Sequence, residues 1–112
     1  MKTYCFALDL HDDPALIAEY KRWHQLDTIW PEVLQQVKAP GVISQEIYHA
    51  GDRLILVLTT TDDFSLEAKT SSDAANATMQ RWEEFMWKFQ KPLPFAKPGQ
   101  KWVLMEKIFD VR

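Results

Sequence analysis

Leu54-Ile55-Leu56-Val57-Leu58 is apolar at five successive positions, and Ala50-Gly51-Asp52 just before it reads as a hairpin turn. Successive side chains of a strand point to opposite faces, so a strand of this composition must be covered on both sides and belongs inside a sheet. One layer of helices covers one face only. The other face therefore needs a ligand cavity, a partner subunit, or both.

The remaining segments supply that layer. Tyr4, Phe6, Leu8 and Leu10 alternate with Cys5, Ala7 and Asp9 as a first strand. Asp13 then suits an N-cap and Pro14 the first position of a helix carrying Leu16, Ile17, Tyr20, Trp23 and His24. Pro31 lacks an amide hydrogen, so that helix is expected to end near Thr28 or Ile29 and a new one to begin at Pro31. Pro40-Gly41 stops the continuation through Val33, Leu34 and Val37. Val42 to His49 reads as a second, largely buried strand, with Ile43, Gln45, Ile47 and His49 on one face and Val42, Ser44, Glu46 and Tyr48 on the other. Asp62 to Asp73 is a polar, partly helical connection. A helix is predicted from about Ala74 to Phe89, where Met79, Trp82, Met86 and Phe89 recur at helical spacing. Pro92, Pro94, Pro98 and Gly99 stiffen the next loop, and Trp102 to Val111 reads as the last strand.

The order strand, helix, strand, strand, helix, strand specifies a ferredoxin-like α+β sandwich (βαββαβ) with both helices on one side of a four-stranded antiparallel sheet. The chain of 112 residues is the size of one domain, expected over 1–112. An apolar second face predicts a homodimer that closes a dimeric α+β barrel. That fold serves many functions, so function has to come from the site.

Several classes are disfavoured. A net charge of −3 gives no basic footprint for nucleic acid or an anionic membrane. No apolar run approaches the length of a membrane span, and Met1-Lys2-Thr3-Tyr4 leads straight into the first strand, so a cytoplasmic location is expected. Cys5 is the only cysteine and reads as a small core residue. His11, His24 and His49 lie in separate elements, without metal-ligand spacing, and three glycines build no phosphate loop. No metal and no cofactor are expected.

Proton transfer remains. Tyr20 and His24 are four residues apart, on one helix face, beside a corner that holds Trp30. His24 is either an acid/base group working near neutral pH or a hydrogen-bonded histidine on a half-buried face. Tyr20 is either a donor to a ligand hydroxyl or amphipathic packing. Trp30 and Trp82 can stack on a ligand or fill the core. Ser44, Gln45 and Glu46 are polar groups that need partners, and a sugar ring supplies hydroxyls.

Tyr20-x-x-x-His24, Ile29-Trp30-Pro31-Glu32, Ile47-Tyr48 and Arg81-Trp82-x-x-Phe85-Met86 resemble the L-rhamnose mutarotase family, small dimeric α+β barrels, over most of the chain. Asp73-Ala74-Ala75-Asn76 and the stretch from Lys97 to Phe109 resemble a subgroup associated with L-fucose. The resemblance implies that His24 is the proton donor and Tyr20 a sugar ligand, in a reaction that interconverts α and β anomers of a 6-deoxy-L-hexose without a cofactor. The family's strand-two tyrosine and tandem tryptophans fall here on Gln45 and on Trp82-Glu83, so the implied substrate-binding set is Tyr20, Trp30, Gln45, Trp82 and Glu83. His24 and Trp30 also stand two residues further apart than the rhamnose pattern implies. A changed wall around a retained Tyr/His pair fits the same reaction on another sugar. Two rival readings share the architecture: a cofactor-free or haem-dependent monooxygenase of aromatic substrates, and a non-catalytic sugar-binding dimer.

Overall fold

The computed structural model describes residues 1–112. The apolar run lies in an inner strand, β3 (Arg53–Thr60), flanked by β2 (Val42–Ala50) and β1 (Lys2–Leu10), all antiparallel. Register pairs Leu8 with Leu54, Phe6 with Leu56 and Tyr4 with Leu58, so these six side chains share one face. The layer over that face comprises α1 (Pro14–Trp23), α2 (Pro31–Val37), α3 (Leu66–Ala75) and α4 (Ala77–Met86). Leu10, Tyr20, Val33, Leu54, Met79, Trp82, Met86 and Phe89 form the main core between sheet and helices. Two short strands, β4 (Gln90–Lys91) and β5 (Val103–Leu104), share the free edge of β1. The α+β class and the ferredoxin-like order hold, but the sheet has five strands rather than four, because β4 and β5 divide one edge of β1 between them. No helix is long and apolar enough to cross a membrane.

Four local expectations are corrected. The first helix stops at Trp23, well before Thr28, because three side chains take its last carbonyls. His24 bonds Tyr20 O, Gln25 bonds Lys21 O at 3.2 Å, and Thr28 Oγ1 bonds Arg22 O at 2.5 Å. Such bonds compete with the continuing helical ladder. The expected helix from Ala74 to Phe89 is likewise two helices meeting at Asn76. Its extended backbone ends α3, and its side-chain oxygen accepts from Met79 N at 2.8 Å to start α4.

Strand β2 is not buried. It has a single neighbour, β3, and its side chains Ser44, Gln45 and Glu46 are exposed. The last strand is two residues long rather than the span from Trp102 to Val111. After Met105 N donates to Cys5 O the chain leaves β1, and Ile108, Phe109 and Val111 are 87%, 79% and 80% exposed. On the face away from the helices, Ile55 and Val57 of β3 are half-buried, with exposed Tyr48 beside Ile55. The apolar second face expected from the sequence is therefore present and incompletely covered within one chain.

Candidate active site

The site begins with the capping of α1. Asp13 Oδ1 accepts from Ala15 N at 2.9 Å and Leu16 N at 3.1 Å, and Pro14 needs no partner at the first position. The helix buries Tyr20 to 3% exposure and leaves His24 as its half-buried C-cap. The phenol and imidazole rings lie 4.2 Å apart between centroids. Nδ1 of His24 is 2.7 Å from the carbonyl oxygen of Tyr20. A carbonyl can only accept, so Nδ1 carries the hydrogen and the neutral ring offers a lone pair at Nε2. Burial lowers the His24 pKa below 6.5, partly offset by that bond. The imidazole is thus a neutral base near pH 7. Burial also pushes the Tyr20 phenol up to about 12, with Glu83 adding to the rise and a bond from Gln90 opposing it. The phenol stays protonated and can donate.

Helix α4 supplies the wall. Trp82 is buried edge-on to His24, at 5.7 Å between centroids, and Trp30 lies against it at 5.1 Å while stacking parallel to Phe85. Glu83 forms an ion pair of 2.9 Å with Lys101, whose Nζ also donates to Glu83 O at 2.6 Å and sits 4.6 Å over the Trp87 ring. Burial lowers the Lys101 pKa, and Glu83 works against that shift. Lys69 and Asp73 of α3 form a second ion pair, and Gln36 donates to the same Asp73 oxygen at 2.8 Å.

Tyr20, His24, Trp82, Glu83, Lys69 and Asp73 all line a cavity of about 160 Å³. An apolar cavity of about 150 Å³ holds a benzene molecule, so the space suits one small ring. Of the residues singled out in the sequence, Tyr20, His24, Gln45, Trp82 and Glu83 line it, whereas Trp30 packs one layer behind Trp82. Gln90, Lys69 and Asp73 line it too and were missed. Gln90 is 70 positions from the tyrosine it touches, which no local spacing reveals. The i,i+4 charge pair of Lys69 and Asp73 was a legible signal, but it reads equally as a solvated helix face. No three His, Cys, Asp or Glu side chains converge as a metal-ligand set.

A ring of one polar, half-apolar molecule could rest against Trp82 with its hydroxyls held by Tyr20, Gln45 and Glu83 and one exchangeable proton at His24. Comparison with known proteins supplies the family. The family model for L-rhamnose mutarotase matches residues 3–111. An L-fucose mutarotase from Xanthomonas campestris pv. campestris is 45% identical over 109 residues, 97% of this chain and 87% of that one. An L-rhamnose mutarotase from Burkholderia cenocepacia is 30% identical over 103 residues, 90% of this chain and 91% of that one. The crystal structure of an L-rhamnose mutarotase from Formosa agariphila superposes over 100% of both chains with a TM-score of 0.71 at 21% identity, a likeness of fold.

Proposed function

This chain belongs to the L-rhamnose mutarotase family, and from that premise we propose that its substrate is L-fucose, whose α and β anomers it interconverts. It is a sugar mutarotase, an isomerase. The preference for L-fucose is supported by the greater identity to the L-fucose mutarotase, 45% against 30% for an L-rhamnose mutarotase.

In the proposed mechanism the neutral Nε2 of His24 takes the proton of the anomeric hydroxyl. The C1–O1 bond becomes a carbonyl as the bond from C1 to the ring oxygen breaks. The imidazolium returns its proton to the departing ring oxygen, so His24 is acceptor first and donor second, and no net proton is gained or lost. Rotation about C1–C2 presents the other carbonyl face, and the same steps in reverse close the opposite anomer. Tyr20, protonated throughout, donates to a sugar hydroxyl and holds the ring beside His24. Trp82 covers the apolar face of the sugar and Trp30 braces Trp82. Gln45 and Glu83 bond hydroxyls that a pair of aromatic rings would leave unpaired.

One observation carries the mechanism: the bond between His24 Nδ1 and Tyr20 O, which fixes the tautomer of an imidazole at the cavity. Saturation-transfer NMR on L-fucose and L-rhamnose, with wild type and His24→Ala side by side, tests it. Fast exchange on L-fucose that disappears in the variant is the expected result. Unchanged exchange in the variant would remove His24 from the chemistry, and binding without exchange would leave a sugar-binding protein.

A homodimer in the cytoplasm completes the reading. The half-buried Ile55 and Val57, with Ile108, Phe109 and Val111 of the exposed tail, are the surface that a second copy would cover.

A further inference from the structure

Gln90 sits in β4, opposite Leu10, and is 3% exposed. Its Nε2 lies 3.4 Å from the Tyr20 hydroxyl. Its Oε1 is the one buried side-chain polar atom left without a hydrogen-bond partner. Buried polar groups in folded proteins are nearly always satisfied, and an orphan at a cavity is explained by something that occupies the cavity. Gln90 lines the same space as Tyr20 and His24. If the amide were turned over, its nitrogen would be the orphan instead, so one end of this side chain lacks a partner in either orientation.

Resting on the mutarotase reading of the cavity, we infer that Gln90 is a further substrate-binding residue: its free amide end bonds one ring hydroxyl of the sugar while its other end holds the Tyr20 hydroxyl. The amide then links protein and ligand in one chain, from β4 through the amide to the phenol, with the sugar bonded at both. Its bond into the phenol oxygen leaves the phenol's own hydrogen to be given to the sugar. An apolar residue at 90 would satisfy packing in this buried position equally well; it would bond neither the phenol nor a hydroxyl.

The test compares Gln90→Met and Gln90→Glu with wild type, in the full chain, on L-fucose and its 2-, 3- and 4-deoxy forms. Anomer exchange is read by saturation transfer, and folding by circular dichroism. In wild type, removing the hydroxyl that Gln90 bonds should lower kcat/KM by roughly 10- to 100-fold more than removing one it does not touch. Gln90→Met should lose about that factor on L-fucose and show no further loss on the matching deoxy sugar. Gln90→Glu keeps the size of the side chain but cannot donate to the phenol and brings a charge, so its effect should be concentrated on the one hydroxyl that Gln90 bonds. Equal proportional losses on every sugar, in a folded Gln90→Met protein, would overturn the inference and leave Gln90 a support for Tyr20. A Met variant that does not fold passes the decision to the Glu variant, where proportionally equal effects on every sugar overturn the inference. Failure of wild type to accelerate L-fucose at all would instead overturn the mutarotase reading, and this inference with it.

Discussion

His24 Nδ1 lies 2.7 Å from the carbonyl oxygen of Tyr20, so the backbone of one residue of the pair sets the tautomer of the other. The two rings, 4.2 Å apart between centroids, therefore behave as a unit. Both residues line the cavity, and in the proposed mechanism one offers the sugar a lone pair and the other a hydroxyl hydrogen.

Removing the imidazole should return anomer exchange towards the uncatalysed rate. His24→Ala is expected to lose about 10²–10⁴-fold in kcat, the usual worth of a positioned acid or base. Because burial holds the His24 pKa below 6.5, the acid limb of the wild-type pH–rate profile should fall below 6.5. Tyr20, at about 12, should contribute no alkaline limb near neutrality. Exchange rates from pH 4.5 to 9 check both limbs.

The same shift makes stability depend on pH. Between the folded-state pKa and 6.5 the unfolded chain binds a proton at His24 that the folded chain does not. Folding is therefore favoured by the neutral ring above 6.5, and that stability is lost as pH falls through the lowered folded-state pKa. Comparing Tm for wild type and His24→Gln from pH 8 down to pH 5 isolates this contribution. The wild type should lose more Tm than the variant over that span.

Sugar preference should respond to Glu83 and to the cation that holds it. Lys101 grips both the carboxylate and the backbone oxygen of Glu83, so the carboxylate is presented to the cavity in a fixed place. Glu83→Trp restores the tandem tryptophans of the rhamnose pattern and should move the ratio of kcat/KM for L-fucose over L-rhamnose down by about tenfold or more. Lys101→Met should move the same ratio less, by loosening Glu83. An unchanged ratio in both variants would take Glu83 out of substrate discrimination.

Association can be read from the tail. Replacing Ile108, Phe109 and Val111 together by serine removes three exposed apolar side chains. Wild type is expected to sediment at twice the 13.1 kDa chain mass. The triple variant should shift towards 13.1 kDa as the protein is diluted. A wild type that remains at the mass of one chain at every concentration would sink the dimer.

The legible part of this fold is periodic and local. The alternation in β1, the run in β3, the Gly51-Asp52 turn and the Asp13-Pro14 start of α1 are all stated within a few residues. What escaped depends on who else is present. The end of α1 is decided by three side chains competing for its carbonyls, and any of them alone looks unremarkable. Asn76 splits a helically spaced apolar pattern because its side chain also donates to Gln36 Oε1 at 3.1 Å, across the layer of helices. The exposure of β2 follows from its place at the edge, which composition does not announce. In the site, the Tyr20/His24 pair was legible from spacing, whereas Gln90 became visible only when β4 was laid beside β1.

In the proposed mechanism the proton-transferring His24 with its neighbour Tyr20, and the other residues assigned to the sugar, belong to different elements. Tyr20 and His24 come from α1 and its cap, whereas Gln45, Trp82 with Glu83, and Gln90 come from β2, α4 and β4. On that assignment, single substitutions should remodel which sugar is accepted without first dismantling the proton transfer. An ancestor with broad tastes could drift towards one sugar through folded, active intermediates, and a laboratory library confined to these four positions should find new preferences more often than it finds dead proteins.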